Sequence, residues 1–188
     1  SLGKGVEQMI VEVPQLRAGE KASAMVTFEV SRSSLLPPEN TSALKIPAKV
    51  DREMVLYLGS SPFIETRHPK IVALARQAGA GLDGWAKVEA IYDLTREKVE
   101  YKAGELKGAA RALQDGTGDC EELTSLFIAL CRNNRIPARM VWVHEHCYPE
   151  FYLEDEKGKG HWFPCQAAGT RSFGGIPEHR PILQKGDN

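Results

Sequence analysis

The sequence has no long apolar run, no surplus of one charge and few cysteines, and each shortage closes a class of function. No stretch approaches the roughly 18 apolar residues that a membrane-spanning helix needs, so no membrane span is expected. Lysines and arginines number 24 against 25 aspartates and glutamates, and the two signs are interspersed. No basic patch argues for nucleic acid, and no charge run argues for a membrane surface. Four cysteines in 188 residues, none in CxxC spacing, are too few for a disulfide scaffold. There is no repeat, low-complexity tract, EF-hand-type calcium loop or cofactor motif, so neither a cofactor nor a metal is expected. What remains is a soluble globular chain with enough residues for a sizeable core. It opens Ser1-Leu2-Gly3, without Met or a signal-peptide pattern. That reads as a processed or trimmed fragment and leaves the compartment open, cytoplasmic or exported. Oligomeric state has no signature.

The stretch with chemical content begins at Gly118-Asp119-Cys120. From Cys120, apolar residues fall at Leu123, Leu126, Phe127, Leu130 and Cys131, the spacing of one buried helical stripe. Asp119 is a good N-cap, and Glu122 can reach back to it as in a capping box. Cys120 then occupies the first helical position, where unpaired N–H groups and the helix dipole favour a thiolate. The plain alternative is a small core cysteine. A β-branched run, Ile136 to Val143, follows as a strand. After it come His146-Cys147-Tyr148-Pro149-Glu150-Phe151-Tyr152-Leu153, a polar turn, and Gly160-His161-Trp162-Phe163-Pro164-Cys165-Gln166. A helix-start cysteine followed by a strand-borne histidine and a strand-borne polar residue is the chain order of a thiol enzyme. The cluster His144-Glu145-His146-Cys147 also invites a metal reading through His144, His146 and Cys147. In a regular strand, however, Cys147 faces away from both histidines, and no second ligand cluster lies nearby.

Upstream, residues 1–59 read as a β-rich segment, with strands in Gly5–Val13 and Ala22–Val30 about a Gly19-Glu20 turn and another within Lys45–Leu58. Ser60-Ser61-Pro62 marks a boundary, and residues 60–188 read as the second, chemistry-bearing domain. Pro69 starts a helix that ends before Gly79, Asp83 caps a second running to about Val99, and Ala109–Gln114 is a third that stops at Gly116. Helices, then the cysteine helix, then an antiparallel sheet give an α+β layout.

These motifs, in this order, resemble the transglutaminase-like superfamily. Its pattern has a Gly-x-Cys helix, an Arg-x-x-Gly-Ile-Pro-Ala-Arg strand entry, a His-x-x-x-Glu strand and a Gly-Trp strand ending in Asp. Gly118-Asp119-Cys120, Arg132 to Arg139, His146 to Glu150 and Trp162 fit it. The resemblance covers about Ser60 to the C-terminus. It implies a papain-like α+β core of bacterial type, with the cysteine helix packed on an antiparallel sheet. It also implies thiol-dependent acyl transfer or hydrolysis at an amide of a protein or peptide substrate. Cys120 is then the nucleophile and His146 the base, with Gln166 as the orienting residue where the family has Asp. An amide oxygen can still fix the imidazole tautomer, though it stabilises the imidazolium less than a carboxylate. The other reading is a binding or scaffold domain that keeps the fold without turnover. Tyr101 is open to two readings, simple packing and an extra oxyanion donor, and His144 and Glu150 are candidates for supporting groups behind the histidine. His144 is otherwise expected in the strand-to-strand turn, and Glu150 as an exposed hairpin carboxylate. Arg139 and Trp162 read as framework and core. Arg135 stands where the family has Gly, and Asn134 is expected to take the helix-ending left-handed turn.

The simplest register sets His146 opposite Gln166 across the hairpin. It then also opposes Cys147 and Cys165, on the sheet face away from the cleft and close enough for a bridge after local adjustment.

Overall fold

In the computed structural model, residues 9–187 are described. The chain divides into two units, one ending at Ser31 and one starting at Arg32. The division falls ahead of the Ser60-Ser61-Pro62 break read from the sequence. Leu35 bridges Ile176 and Lys45 bridges Glu154, both inside the second unit.

Within 9–31 the Gly19 turn is present, with Glu20 N–H donating to Arg17 O at 3.0 Å. The strand expected over Ala22–Val30 does not form. The alternation is there, but no neighbouring strand among the described residues completes a ladder, and an isolated strand is not stable in water. The strand expected in Gly5–Val13 lies partly outside the described residues, and 9–13 carry no strand. The Lys45–Leu58 strand is also corrected. Lys45 makes one bridge, and Arg52–Leu58 is a 3-10 helix. Pro47 has no N–H to extend a ladder.

The remaining elements follow the sequence closely. They are α1 (Pro69–Gln77), α2 (Gly84–Lys98), β1 (Glu100–Tyr101), α3 (Ala109–Asp115), β2 (Thr117–Gly118) and α4 (Cys120–Asn133). After them come β3 (Ala138–Val143), β4 (His146–Glu154), β5 (Gly160–Gln166), β6 (Ser172–Phe173) and β7 (Ile182–Lys185). The layout is α+β. Five strands form an antiparallel sheet in the order β6-β5-β4-β3-β7, and β1 and β2 form a separate parallel pair.

Helix α4 is the axis of the unit. Its stripe residues Leu123, Leu126, Phe127, Leu130 and Cys131 are buried as the spacing requires. The helix is buried on its other sides as well, at Thr124, Ser125, Ile128 and Ala129. Helices α1, α2 and α3 cover one side and β3 and β4 the other, which a single-stripe reading does not anticipate. On the α4 face of the sheet lie Ala138, Met140, Cys147, Phe151, Leu153 and Cys165, all in the main core. The alternate residues Val141, Val143 and Tyr148 build a second cluster with Ile176 on the far face, as strand alternation dictates.

The end of α4 differs from expectation. Arg135 itself takes the left-handed conformation, at φ 61°, while Asn134 stays at φ −91°. Ile136 N–H donates to Cys131 O (3.0 Å) and Arg135 N–H to Arg132 O (3.1 Å). This is the paired bonding of a Schellman cap. The Asn134 side chain instead donates to Ala75 O and Leu130 O, both at 3.0 Å.

Candidate active site

The approach to Cys120 is fixed by short-range geometry. β1 pairs with β2, which sets Tyr101 level with Gly118. Gly118 is required by close packing: a Cβ there would sit 2.5 Å from the Cβ of Glu122. Asp119 then caps α4, its carboxylate accepting from Glu121 N–H at 2.8 Å, while Asp119 N–H donates to Glu122 Oε2 at 3.0 Å. The capping box read from the sequence is present. Cys120 is the first residue of α4, so its N–H has no intrahelical acceptor and stays available to a developing oxyanion.

Strand β4 meets this helix start from the other side. His144 and Glu145 form the turn between β3 and β4, with Glu145 at φ 53°, and His146 follows as the first residue of β4. His146 Nε2 lies 3.1 Å from Gln166 Oε1. Nε2–H donates to the amide oxygen, and the other ring nitrogen is left for Cys120. Gln166 is held through its main chain, where its carbonyl accepts from Tyr92 Oη (2.7 Å) and Arg96 Nη1 (3.2 Å).

The Cys120 thiol is brought down to about 4. The hydrogen bond from the Cys147 thiol is the largest cause. It outweighs partial burial and is joined by His146 and by the Cys147 backbone N–H. His146 is correspondingly raised, first by its bond to Cys120, against burial, with Gln166 adding to the rise. Cys147 is pushed far up, because its proton is held by Cys120 and it is buried. These shifts favour the charge on Cys120 and the proton on Cys147 and on the imidazole.

Two readings of this hairpin are corrected. Cys147 turns toward Cys120, on the α4 face, and not away from the cleft. The register also differs by two residues. The expected pairing would set Glu150 against Trp162, whereas Glu150 faces Pro164 and Tyr152 faces Trp162. The ladder ends at Glu150/Pro164, since Pro164 has no N–H to give it. Cys147 and Cys165 are thus not an opposed pair, and both are free thiols.

Of the supporting residues, Tyr101 reaches the cleft and is 56% exposed. The side chain of His144 does not, being 76% exposed in the turn. Its carbonyl accepts from Arg180 Nη1 at 2.9 Å. Glu150 is neither in the cleft nor exposed. It is buried on the far face, bound to Arg139 (2.6 Å) and Lys185 (2.8 Å). Arg139 also stacks on Trp162, 3.9 Å from the ring centre. Trp162 is half-buried there and not in the core. The three residues of the metal reading do not converge on a point, because the His144 side chain points to solvent.

Two clefts open at Cys120. One cleft, of about 290 Å³, is lined by Gln166, Ala168, Gly169 and Arg180. The other, of about 430 Å³, is lined by Gly104, Glu121, Trp142 and Val143. Tyr101, Cys120, Glu145 and His146 border both.

Cys147, read from the sequence only as a metal ligand or a partner of Cys165, stands beside Cys120, and Arg180, which the sequence reading did not single out, lines the cleft. For Cys147 the signal was its place beside His146 at a strand start, where a packed helix N-terminus meets backbone N–H groups. Arg180 gave none, because only the return of the C-terminal segment brings it to the cleft. It is held there by Glu178, with Nη2 to Oε2 at 2.6 Å.

The model of the transglutaminase-like superfamily matches residues 72–167. No curated protein sequence matches the chain. Among solved structures, a candidate cysteine protease from Cytophaga hutchinsonii aligns with a TM-score of 0.58 at 24% identity, over 74% of this chain and 48% of that one. A candidate protease from Parabacteroides distasonis aligns with a TM-score of 0.43 at 12% identity, over 59% of this chain and 28% of that one. The chain therefore spans about half the length of the Cytophaga structure. Among the described residues, no helix is long and apolar enough to cross a membrane.

Proposed function

Because this chain belongs to the transglutaminase-like superfamily, we propose that its cleft performs thiol-dependent acyl transfer or hydrolysis at an amide. The observation that carries this is His146 lying between Cys120 and Gln166, with Nε2 bound to Oε1 at 3.1 Å.

The Cys120 thiolate attacks the amide carbonyl carbon. As the C–S bond forms, the oxygen gathers charge and accepts from the Cys120 N–H at the start of α4. Tyr101 stands at the same cleft to supply a second donor. The imidazolium of His146 gives its proton to the departing nitrogen, and the C–N bond breaks to leave a thioester on Cys120. The now neutral His146 takes a proton from water or an incoming amine, which attacks the thioester and frees Cys120. Gln166 keeps the ring in the tautomer that this cycle needs. A protein or peptide substrate fits two clefts that meet at the nucleophile, and the description of the Cytophaga protein as a candidate cysteine protease supports it.

The test is alkylation by iodoacetamide across pH, read by peptide mass spectrometry, beside release of amine from a peptide mixture. Selective modification of Cys120 at pH 6, and turnover lost in Cys120→Ala, are expected. Equal labelling of all four cysteines, with no amine released, would favour a domain that keeps the fold for binding alone.

A further inference from the structure

Beside the clefts at Cys120 lies a further pocket, of about 320 Å³, within the size range of small-ligand sites. Its walls are Phe63, Leu106, Met140 and Trp142, with Glu121 and Ser125 of α4 on the remaining side. Glu121 and Ser125 are one helical turn apart and so share a face. Glu121 and Trp142 also line the cleft that holds Cys120 and His146, so the two spaces share a wall.

Three observations point to an occupant. Ser125 is 1% exposed, and its hydroxyl has no hydrogen-bond partner. A buried hydroxyl left unpaired is unfavourable unless a water or a ligand meets it. Phe63 stands at the rim with φ 65°, a conformation that bulky residues rarely adopt. It is held by reciprocal backbone bonds between Ser61 and Ile64 and by Ala109 N–H donating to its carbonyl. Phe63 and Leu106 are also each 45% exposed, two large apolar side chains left in water at the mouth of one pocket.

We propose that this pocket holds a substrate side chain next to the reacting amide, and that it takes a large apolar side chain with a hydroxyl tip, tyrosine foremost. The apolar walls bury the ring, and the Ser125 hydroxyl exchanges a hydrogen bond with the phenol. The Glu121 carboxylate in the lining disfavours acidic side chains. The assignment rests on Cys120 being the nucleophile, and it names the substrate class for that same site.

A panel of bromoacetyl-X-amides, with X as Tyr, Phe, Ala or Glu, separates the two ideas. Each reagent carries the same electrophile, and iodoacetamide serves as the reference for Cys120. The tyrosine reagent is expected to alkylate Cys120 at least about tenfold faster than the alanine one, and the glutamate reagent slowest. Leu106→Glu should abolish the preference, read as the ratio of the tyrosine to the alanine rate within that variant. Ser125→Ala should bring the tyrosine and phenylalanine rates together. Rates independent of X, with Cys120 still reactive to iodoacetamide, overturn the pocket assignment and leave the thiol chemistry standing. If Cys120 is inert to every reagent, the proposed chemistry fails. The pocket is then judged by NMR, where N-acetyl-tyrosinamide should shift the Met140 methyl and N-acetyl-glutamic amide should not. No shift with the tyrosine ligand refutes it.

Discussion

His146 Nε2 and Gln166 Oε1 are 3.1 Å apart although the two residues are not opposite one another in the sheet. Extending the register from Glu150/Pro164 sets Tyr148, not His146, level with Gln166. His146 and Gln166 are therefore diagonal neighbours, whose Cα atoms are roughly 7–8 Å apart, within reach of long side chains. A glutamine is one methylene longer than the aspartate or asparagine usual in such triads, and the longer side chain suits a diagonal contact.

The pH course of turnover follows from the two shifts. Cys120 titrates near 4, so its thiolate is lost as pH falls through that value. His146 is raised above its ordinary 6.5, so the imidazolium needed by the leaving amine is lost as pH rises past it. Turnover should trace a bell with its acid limb near pH 4 and its alkaline limb above pH 6.5. Iodoacetamide alkylation needs only the thiolate and should already be at its plateau by pH 6. A Cys120 that alkylates only above about pH 8, like an ordinary thiol, would contradict the ion pair.

Cys147 should be separable from the nucleophile. Cys147→Ala removes the thiol that donates to Cys120 but keeps the backbone N–H. The alkylation midpoint of Cys120 should then move up from about 4, because the largest cause of the depression is gone. An unmoved midpoint would show that His146 and the helix start suffice.

Gln166→Asp places a negative charge against the imidazole and should move the alkaline limb of turnover upward, by about one pH unit. Gln166→Ala leaves the ring unoriented and should lower kcat/KM by about 10–100-fold, or roughly 1.4–2.7 kcal/mol of transition-state stabilisation. A pH–rate profile for each variant reads both effects. An alkaline limb that is the same in wild type and Gln166→Asp would argue against contact during turnover.

Arg135→Gly tests the end of α4. At φ 61° the arginine bears a cost that glycine at the same position avoids. The variant should be more stable by about 0.5–1 kcal/mol, seen as a higher urea midpoint with an unchanged slope. Phe127→Ala, deep in the core, should instead lose about 3–5 kcal/mol through the cavity it leaves.

Much of the site was legible because its causes are local. Gly118-Asp119-Cys120-Glu121-Glu122 contains both halves of its own capping box, so the helix start and the placing of Cys120 on it follow from neighbouring residues alone. Strand alternation and the two-residue turn at His144-Glu145 likewise set His146 at the head of a strand. The chain order of Cys120, His146 and Gln166, together with Trp162 and Ile136-Pro137-Ala138-Arg139, carried the family resemblance.

Tertiary structure decided the rest, because those features depend on partners far along the chain. Whether Ala22–Val30 becomes a strand depends on a neighbouring strand, and alternation cannot supply one. The two-residue difference in register, the turning of Cys147 onto Cys120 and the burial of Glu150 between Arg139 and Lys185 arise where α4, β7 and the Pro164 break meet the β4 strand. Arg180 enters the cleft only when the C-terminal segment folds back. The sequence by itself determined which residues could do thiol chemistry and on which elements they ride. Long-range packing determined which sulfur is surrounded by donors and which is buried, since that environment and not the identity of the residue sets where a thiolate is favoured.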